Sequence, residues 1–159
     1  MEAKLNARNL EISTKVSVEI CNLLRYKNIE KAKNALERVT KKKQPVPYKR
    51  YNKEIPHRKG KIMSGRYPIK ASKVILKLLN SIIANAQQKG MSSNLYISHI
   101  SAHKASSQFH YSRHRGRVMK RTHLKIIVKE SKQAKKETKK PEVRKELPKK
   151  ETKPVENKK

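Results

Sequence analysis

Leu95-Tyr96-Ile97-Ser98-His99-Ile100-Ser101-Ala102-His103-Lys104 and, after an interval, Thr122-His123-Leu124-Lys125-Ile126-Ile127-Val128-Lys129 are the stretches whose reading decides the fold. In the second, Thr122, Leu124, Ile126 and Val128 alternate with His123, Lys125, Ile127 and Lys129. That two-residue period belongs to a strand with one face buried. The pattern predicts one strand over about residues 94–103 and another over about 117–129, and antiparallel pairing through the intervening segment is the natural connection. A long basic β-hairpin over about residues 96–128 is therefore expected.

The interval reads His103-Lys104-Ala105-Ser106-Ser107-Gln108-Phe109-His110-Tyr111-Ser112-Arg113-His114-Arg115-Gly116-Arg117. It contains no acid and little to bury. Arg113, Arg115 and Arg117 recur at alternate positions, and an Arg fork matches phosphate geometry. Phe109, Tyr111 and the His rings can stack on unpaired bases, and Gly116 permits close backbone approach or positive φ. Arms of about ten residues at ~3.3 Å each would project roughly 30 Å. A naked hairpin of that length is unstable in water, so a partner is expected to receive it.

Working outward, residues 3–10 alternate weakly, with Ala3, Leu5 and Ala7 against Lys4, Asn6 and Arg8. Ser13 reads as the N-cap of a helix over about residues 13–26, with Val16, Ile20, Leu23 and Leu24 at helical spacing. Asn28 caps a second helix whose buried face is Ile29, Ala32, Leu36 and Val39. Pro68 suits the first turn of a third and strongest helix, striped by Ala71, Val74, Ile75, Leu78, Ile82 and Ala86 and closed by Gly90. That Ile and Leu stripe reads as core packing, not as a cofactor site. The fold class is α+β: three helices packed on a small three-stranded antiparallel sheet, with a protruding hairpin.

Residues 41–65 hold Pro45, Pro47 and Pro56, which forbid a regular helix, and the segment is too long for a simple turn. Its Lys, Arg and Tyr residues look like a loop moulded onto RNA. From Ser131 the composition changes: the last 29 residues carry 12 Lys or Arg, 5 Glu and no aromatic residue. Such a tail cannot bury enough apolar surface to order itself, so disorder in isolation is expected. The expected organisation is residues 1–130 as one domain, including the hairpin, and 131–159 as a Lys-rich tail.

Charge points to the partner. The chain has 159 residues with 42 Lys or Arg against 12 acids, a net charge of +30. All the acids are Glu, and none lies between Glu54 and Glu130, a stretch of 75 residues carrying 16 Lys or Arg. Carboxylates normally punctuate a soluble surface, and a surface without them suits phosphate. A solvated basic face explains short charge runs better than one of this length.

Other chemistries fit poorly. His99 and His103, like His110 and His114, are four residues apart. Zinc favours that spacing on a helix or beside Cys ligands, whereas on a strand it separates the two positions by about 13 Å. No metal and no cofactor are therefore expected. No carboxylate in the basic region could orient a catalytic base, and no Gly-rich phosphate loop is present, so no enzyme is expected. The single Cys, Cys21, excludes an internal disulfide and reads as a small core residue. The N-terminus lacks the apolar core of a signal peptide, and no run approaches the ~18 apolar residues of a spanning helix, so no membrane insertion is expected.

Several segments together resemble one family. These are Pro45-Val46-Pro47-Tyr48-Lys49-Arg50-Tyr51-Asn52, His57-Arg58-Lys59-Gly60, Gly65-Arg66-Tyr67-Pro68-Ile69-Lys70-Ala71, Leu95-Tyr96-Ile97-Ser98-His99-Ile100-Ser101-Ala102-His103-Lys104 and Lys120-Arg121-Thr122-His123. Their order and content resemble the universal large-subunit ribosomal protein family L-twenty-two, in its archaeal and eukaryotic branch, whose eukaryotic member is called L-seventeen. The hairpin arm departs from relatives: Gln108-Phe109-His110-Tyr111 stands where a Trp-Ile-Pro-Arg type sequence is familiar.

The resemblance implies a small domain near the exit of the peptide tunnel, a role in subunit assembly, and a hairpin that reaches between ribosomal RNA domains to line the tunnel wall. Implied partners are large-subunit ribosomal RNA, neighbouring ribosomal proteins and the nascent peptide, in a cytoplasmic ribosome, without independent homo-oligomerisation. The expected RNA-binding residues are Lys49, Arg50, Tyr51, Lys53, His57, Arg58, Lys59, Arg66, His103, Lys104, Arg113, Arg115, Arg117, Lys120, Arg121 and His123. The expected hairpin tip is Gln108, Phe109, His110, Tyr111, Arg113 and His114. The alternative is a free nucleic-acid-binding protein, such as a nucleoid protein or RNA chaperone. Against it, the three helices need their apolar faces for one core, and the basic residues concentrate in loops, leaving no recognition helix.

Overall fold

The computed structural model describes residues 1–60, 62–111, 113 and 116–131; the segment from residue 132 onward, and with it the expected disordered tail, lies outside them. In chain order the elements are β1 (Glu2–Leu10), α1 (Thr14–Leu24), α2 (Ile29–Thr40), the short β2 (Val46–Pro47) and β3 (Gly65–Arg66), α3 (Ile69–Gln88), β4 (Leu95–Lys104) and β5 (Thr122–Glu130). Strands β1, β5 and β4 form one antiparallel sheet in that order, and β2 and β3 form a separate ribbon.

The alternating strand β5 takes the middle. Val128 lies between Ala3 and Ile97, Ile126 between Leu5 and Ile100, and Leu124 between Ala7 and Ala102. These rows make one apolar face, and the helices cover it. Ile20 and Leu24 of α1, Leu36 and Val39 of α2, and Ile75, Leu79 and Ile82 of α3 are fully buried with Ile97, Ile100, Leu124, Ile126 and Val128. The opposite face carries Lys4, Lys125 and Lys129, all exposed. Burying side chains of this size removes on the order of 1.5–3 kcal/mol of apolar hydration each, which sets both the register and the side of the sheet that the helices cover.

The expected α+β arrangement of three helices on a three-stranded antiparallel sheet is present, with differences at the boundaries. Helix α1 ends at Leu24, short of residue 26, because the next backbone groups are drawn into the edge of β4: the Tyr26 N–H donates to the Ile97 carbonyl (3.0 Å) and the Ile97 N–H to the Lys27 carbonyl (2.9 Å). Tyr26 takes a positive φ of 61° to make that turn. Pro68 is the N-cap of α3, one position before the first turn, and its carbonyl accepts the Ser72 N–H. Gly90 follows the helix with φ 67°, the left-handed conformation that ends a helix without a Cβ penalty. In α3 the fully buried position is Leu79, and Leu78 lies at the partly buried margin.

Strand β5 begins at Thr122, not near residue 117. The apolar alternation stops there, and the chain beyond pairs irregularly: Ala105 N–H to the Arg121 carbonyl (3.1 Å), Met119 N–H to the Gln108 carbonyl (2.7 Å) and His110 N–H to the Arg117 carbonyl (2.8 Å). Thr122 itself is fully buried. Its hydroxyl donates to the Ile12 carbonyl (2.9 Å), so its single proton is committed, and the Thr14 hydroxyl 2.9 Å away must donate to it. This chain ties the start of β5 to the start of α1. Thr122→Val keeps shape and strand propensity but leaves the Ile12 carbonyl without that donor. A loss of about 1–3 kcal/mol in a urea unfolding titration is the expected result; an unchanged midpoint would mean that the bond contributes nothing.

Candidate nucleic-acid interface

The Pro-rich segment of residues 41–65 is shaped from below by a carboxylate. Glu19 is on the inward side of α1 and fully buried. Its Oε1 accepts the backbone N–H groups of Arg50 and Tyr51, both at 2.8 Å, and its Oε2 accepts that of Lys49 at 3.2 Å. Three successive amides thus converge on one anion, an arrangement that fixes the backbone while the Lys49 and Arg50 side chains stay exposed. The pairing of β2 with β3 and a bridge between His57 and Ser64 close the rest of the segment into a folded ribbon.

Within that ribbon Tyr48 is a core residue, and burial pushes its phenol above the ordinary range. Tyr51 is half-buried, with the Arg50 guanidinium 5.5 Å and the Lys15 ammonium 5.8 Å from its ring centroid. Arg58 lies 5.3 Å over the Tyr67 ring, and its Nε donates to the Gly65 carbonyl (3.1 Å). Lys53, His57, Lys59 and Arg66 are exposed.

The loop and the base of the hairpin meet. A cleft of about 660 Å³ is lined by Lys15 and Val16 of α1, by Arg50, Tyr51, Lys53, Glu54 and Ile55 of the loop, by Arg66, Tyr67 and Pro68, and by Lys120. Five cations from separate parts of the chain therefore face one concavity, against a single carboxylate. Among the described residues, salt bridges engage Lys4, Lys129 and Arg121. None of the five cleft cations is in one, which leaves their charge to an outside anion.

The hairpin residues divide into anchored and exposed groups. Arg121 is anchored: its guanidinium bonds Glu11 at 2.9 Å, and that bond with the accompanying charge holds the Glu11 carboxyl below its usual range. His123 accepts the Asn9 N–H on Nδ1 (3.1 Å), which places the proton of the neutral ring on Nε2. His103 faces His123 across the strands. The rings of His99 and His103 both reach the Ser101 hydroxyl, at 3.2 and 3.1 Å, closer together than a straight strand would bring them because side chains lean along it. Among the described residues no three His, Cys, Asp or Glu side chains form a metal-binding group. Lys104, Arg113, Arg117 and Lys120 are exposed.

Of the residues expected at the tip, Gln108, Phe109, His110 and Tyr111 are exposed, Phe109 at 69% and Tyr111 at 85%. His110 and Tyr111 share a second cleft, of about 470 Å³, with Glu11 and Lys70. His114 and Arg115 lie outside the described residues. Cys21 is buried, and burial pushes its thiol up to about 12, so no thiolate is available there near neutral pH. No helix of the described residues is long and apolar enough to cross a membrane.

Sequence reasoning missed Glu19, Lys15 and Tyr67. For Glu19 a signal existed: it stands three residues after Val16 and four before Leu23, on the apolar side of α1, where a carboxylate needs a partner. Lys15 and Tyr67 carried no local mark, since only the folded chain brings them to the cleft that Tyr51 lines.

Residues 5–129 match the model of the family described as ribosomal protein L22p/L17e. The chain is similar to the large ribosomal subunit protein uL22 of Nanoarchaeum equitans, 46% identical over 138 residues that cover 82% of this chain and 79% of that protein. It is also similar to the protein of the same name from Ignicoccus hospitalis, 40% identical over 139 residues, covering 80% and 87%. A third relative of that name, from Archaeoglobus fulgidus, is 45% identical over 105 residues, covering 64% and 68%.

Proposed function

The chain belongs to the ribosomal protein L22p/L17e family, and from that premise we propose that it holds large-subunit ribosomal RNA through two surfaces: the loop cleft and the basic arm. Membership makes it a constituent of the large ribosomal subunit in the cytoplasm, not an enzyme. The observation that carries the RNA reading is the convergence of Lys15, Arg50, Lys53, Arg66 and Lys120 on one cleft, with no salt bridge to any of them among the described residues. Phosphate contacts of this kind position a protein on RNA, and exposed rings on the arm suit unstacked bases.

In this reading residues 1–130 are one domain and 131–159 an appended basic segment; the family match ending at residue 129 supports that boundary. Lys49, His57, Arg58, Lys59 and Arg66 serve the loop surface with Arg50, Tyr51 and Lys53. His103, Lys104, Arg113, Arg115, Arg117, Lys120, Arg121 and His123 serve the arm and its base. Arg121 acts chiefly by holding the arm's base through Glu11, which already matches its charge. The tip, Gln108 to His114, is the part assigned to the tunnel wall and the nascent peptide, and the arm gives the chain its part in subunit assembly. Neighbouring ribosomal proteins complete the set of partners.

Deletion of residues 106–115 tests the arm. The body keeps its fold, because among the described residues of that segment none belongs to the core cluster. Large subunits containing the deleted chain accumulate as incomplete particles on a sucrose gradient. Global unfolding of the mutant would show that the arm belongs to the core. Quantitative release of the full chain from large subunits into a DNA-bound pool at moderate salt would favour the free nucleic-acid-binding alternative.

A further inference from the structure

We propose that the cleft between α1, the loop and the base of the arm is a seat for one unstacked nucleotide, its base against Tyr51 or Tyr67 and its phosphates among Arg50, Arg66 and Lys120. The proposal deepens the RNA reading above and rests on it. A volume of about 660 Å³ falls within the roughly 300–1,000 Å³ of clefts that enclose small ligands. It suits a nucleotide and not a duplex, which must stay outside. A phosphate alone would need only the cations. The cleft also offers half-buried Tyr51 and Tyr67 rings with the apolar surfaces of Val16, Ile55 and Pro68.

The charges lie over the rings. Arg50 and Lys15 are 5.5 and 5.8 Å from the Tyr51 centroid, so a nucleotide entering the cleft meets π surface and positive charge together, its base exchanging with a cation at the ring face and its phosphate pairing with the cation displaced. The floor is held: Glu19 fixes the backbone amides of Arg50 and Tyr51, and Tyr48 is sealed into the core beneath. Glu54 is the one carboxylate of the lining, and it is exposed. Its carbonyl, not its carboxylate, faces the Arg66 guanidinium, at 3.5 Å.

The test uses the full chain with hexauridylate carrying 5-iodouridine. Irradiation is expected to crosslink peptides containing Tyr51 or Tyr67. Crosslinks confined to Phe109 and Tyr111 would overturn the cleft while leaving RNA binding by the arm intact. No binding of hexauridylate at low salt would overturn both readings. In parallel, Tyr51→Leu and Tyr67→Leu, each checked for an unchanged circular dichroism spectrum, are titrated with hexauridylate and with inorganic tripolyphosphate. At least one of them should lose about tenfold or more in hexauridylate affinity, the effect of one stacked base, with tripolyphosphate affinity unchanged. Equal losses for both ligands, or none for either variant, would overturn the nucleotide seat. The crosslinking arm needs no substitution, so the proposal stays testable even if both variants unfold.

Discussion

Glu19→Ala is expected to lower the stability of the domain by about 2–4 kcal/mol. The carboxylate accepts three backbone N–H groups, and its removal leaves the amides of Lys49, Arg50 and Tyr51 facing a void. Each part-buried donor left unpaired costs about 1–3 kcal/mol. Against that, the mutant no longer keeps a carboxylate out of water, which returns part of the sum. Glu19→Gln separates the two effects. It retains one acceptor oxygen but turns an NH2 group toward amide donors, so roughly half the loss is expected. A urea titration reads both through the midpoint, and for a domain of this size the thermal midpoint of the Ala variant should fall by on the order of 10 °C.

The same substitution has a local consequence that a generic core defect lacks. With its anion gone, the loop at Lys49 and Arg50 opens ahead of the body. Trypsin should then cut after these residues at protease levels that spare the native chain. An unchanged urea midpoint together with unchanged cutting would show that water replaces the carboxylate without loss.

Glu19 also marks how far local patterns carry. The alternation of Leu124, Ile126 and Val128 was enough to predict a strand paired antiparallel with β4, whereas the pairing of β1 along its other edge had no local signal. The Ala71, Ile75 and Ile82 stripe likewise announced α3. The β2–β3 ribbon was not legible: two-residue strands joined by a bridge between His57 and Ser64 have no periodicity to read. For the candidate site, the expected RNA-binding residues included Arg50, Tyr51, Arg66 and Lys120, and the structure brings these four to one cleft. Residue type could not tell an available cation from one already held. Arg121 and Lys120 are adjacent in the sequence, yet one is bonded to Glu11 and the other opens into the cleft. That distinction depends on a carboxylate 110 residues away in the chain.

Counting available cations yields the largest effect expected of this protein, the dependence of RNA affinity on salt. Lys49, Arg50, Lys53, Arg66, Arg113, Arg117 and Lys120 are exposed, and no salt bridge among the described residues involves them. If these seven each displace a counterion from RNA, the slope of log affinity against log salt is about −5 to −6. Between 50 and 200 mM monovalent salt the affinity for large-subunit RNA should then fall by about three decades or somewhat more. Lys120→Ala should weaken binding evenly across RNA sequences and make the slope shallower by about one. Arg121→Ala should act differently: its charge is already matched by Glu11, so the slope changes little while the base of the arm loosens. Filter binding over a salt series measures all three chains. A native slope shallower than about −3 would mean that fewer than half of these cations reach phosphate, and the basic surface would then be mostly solvated charge.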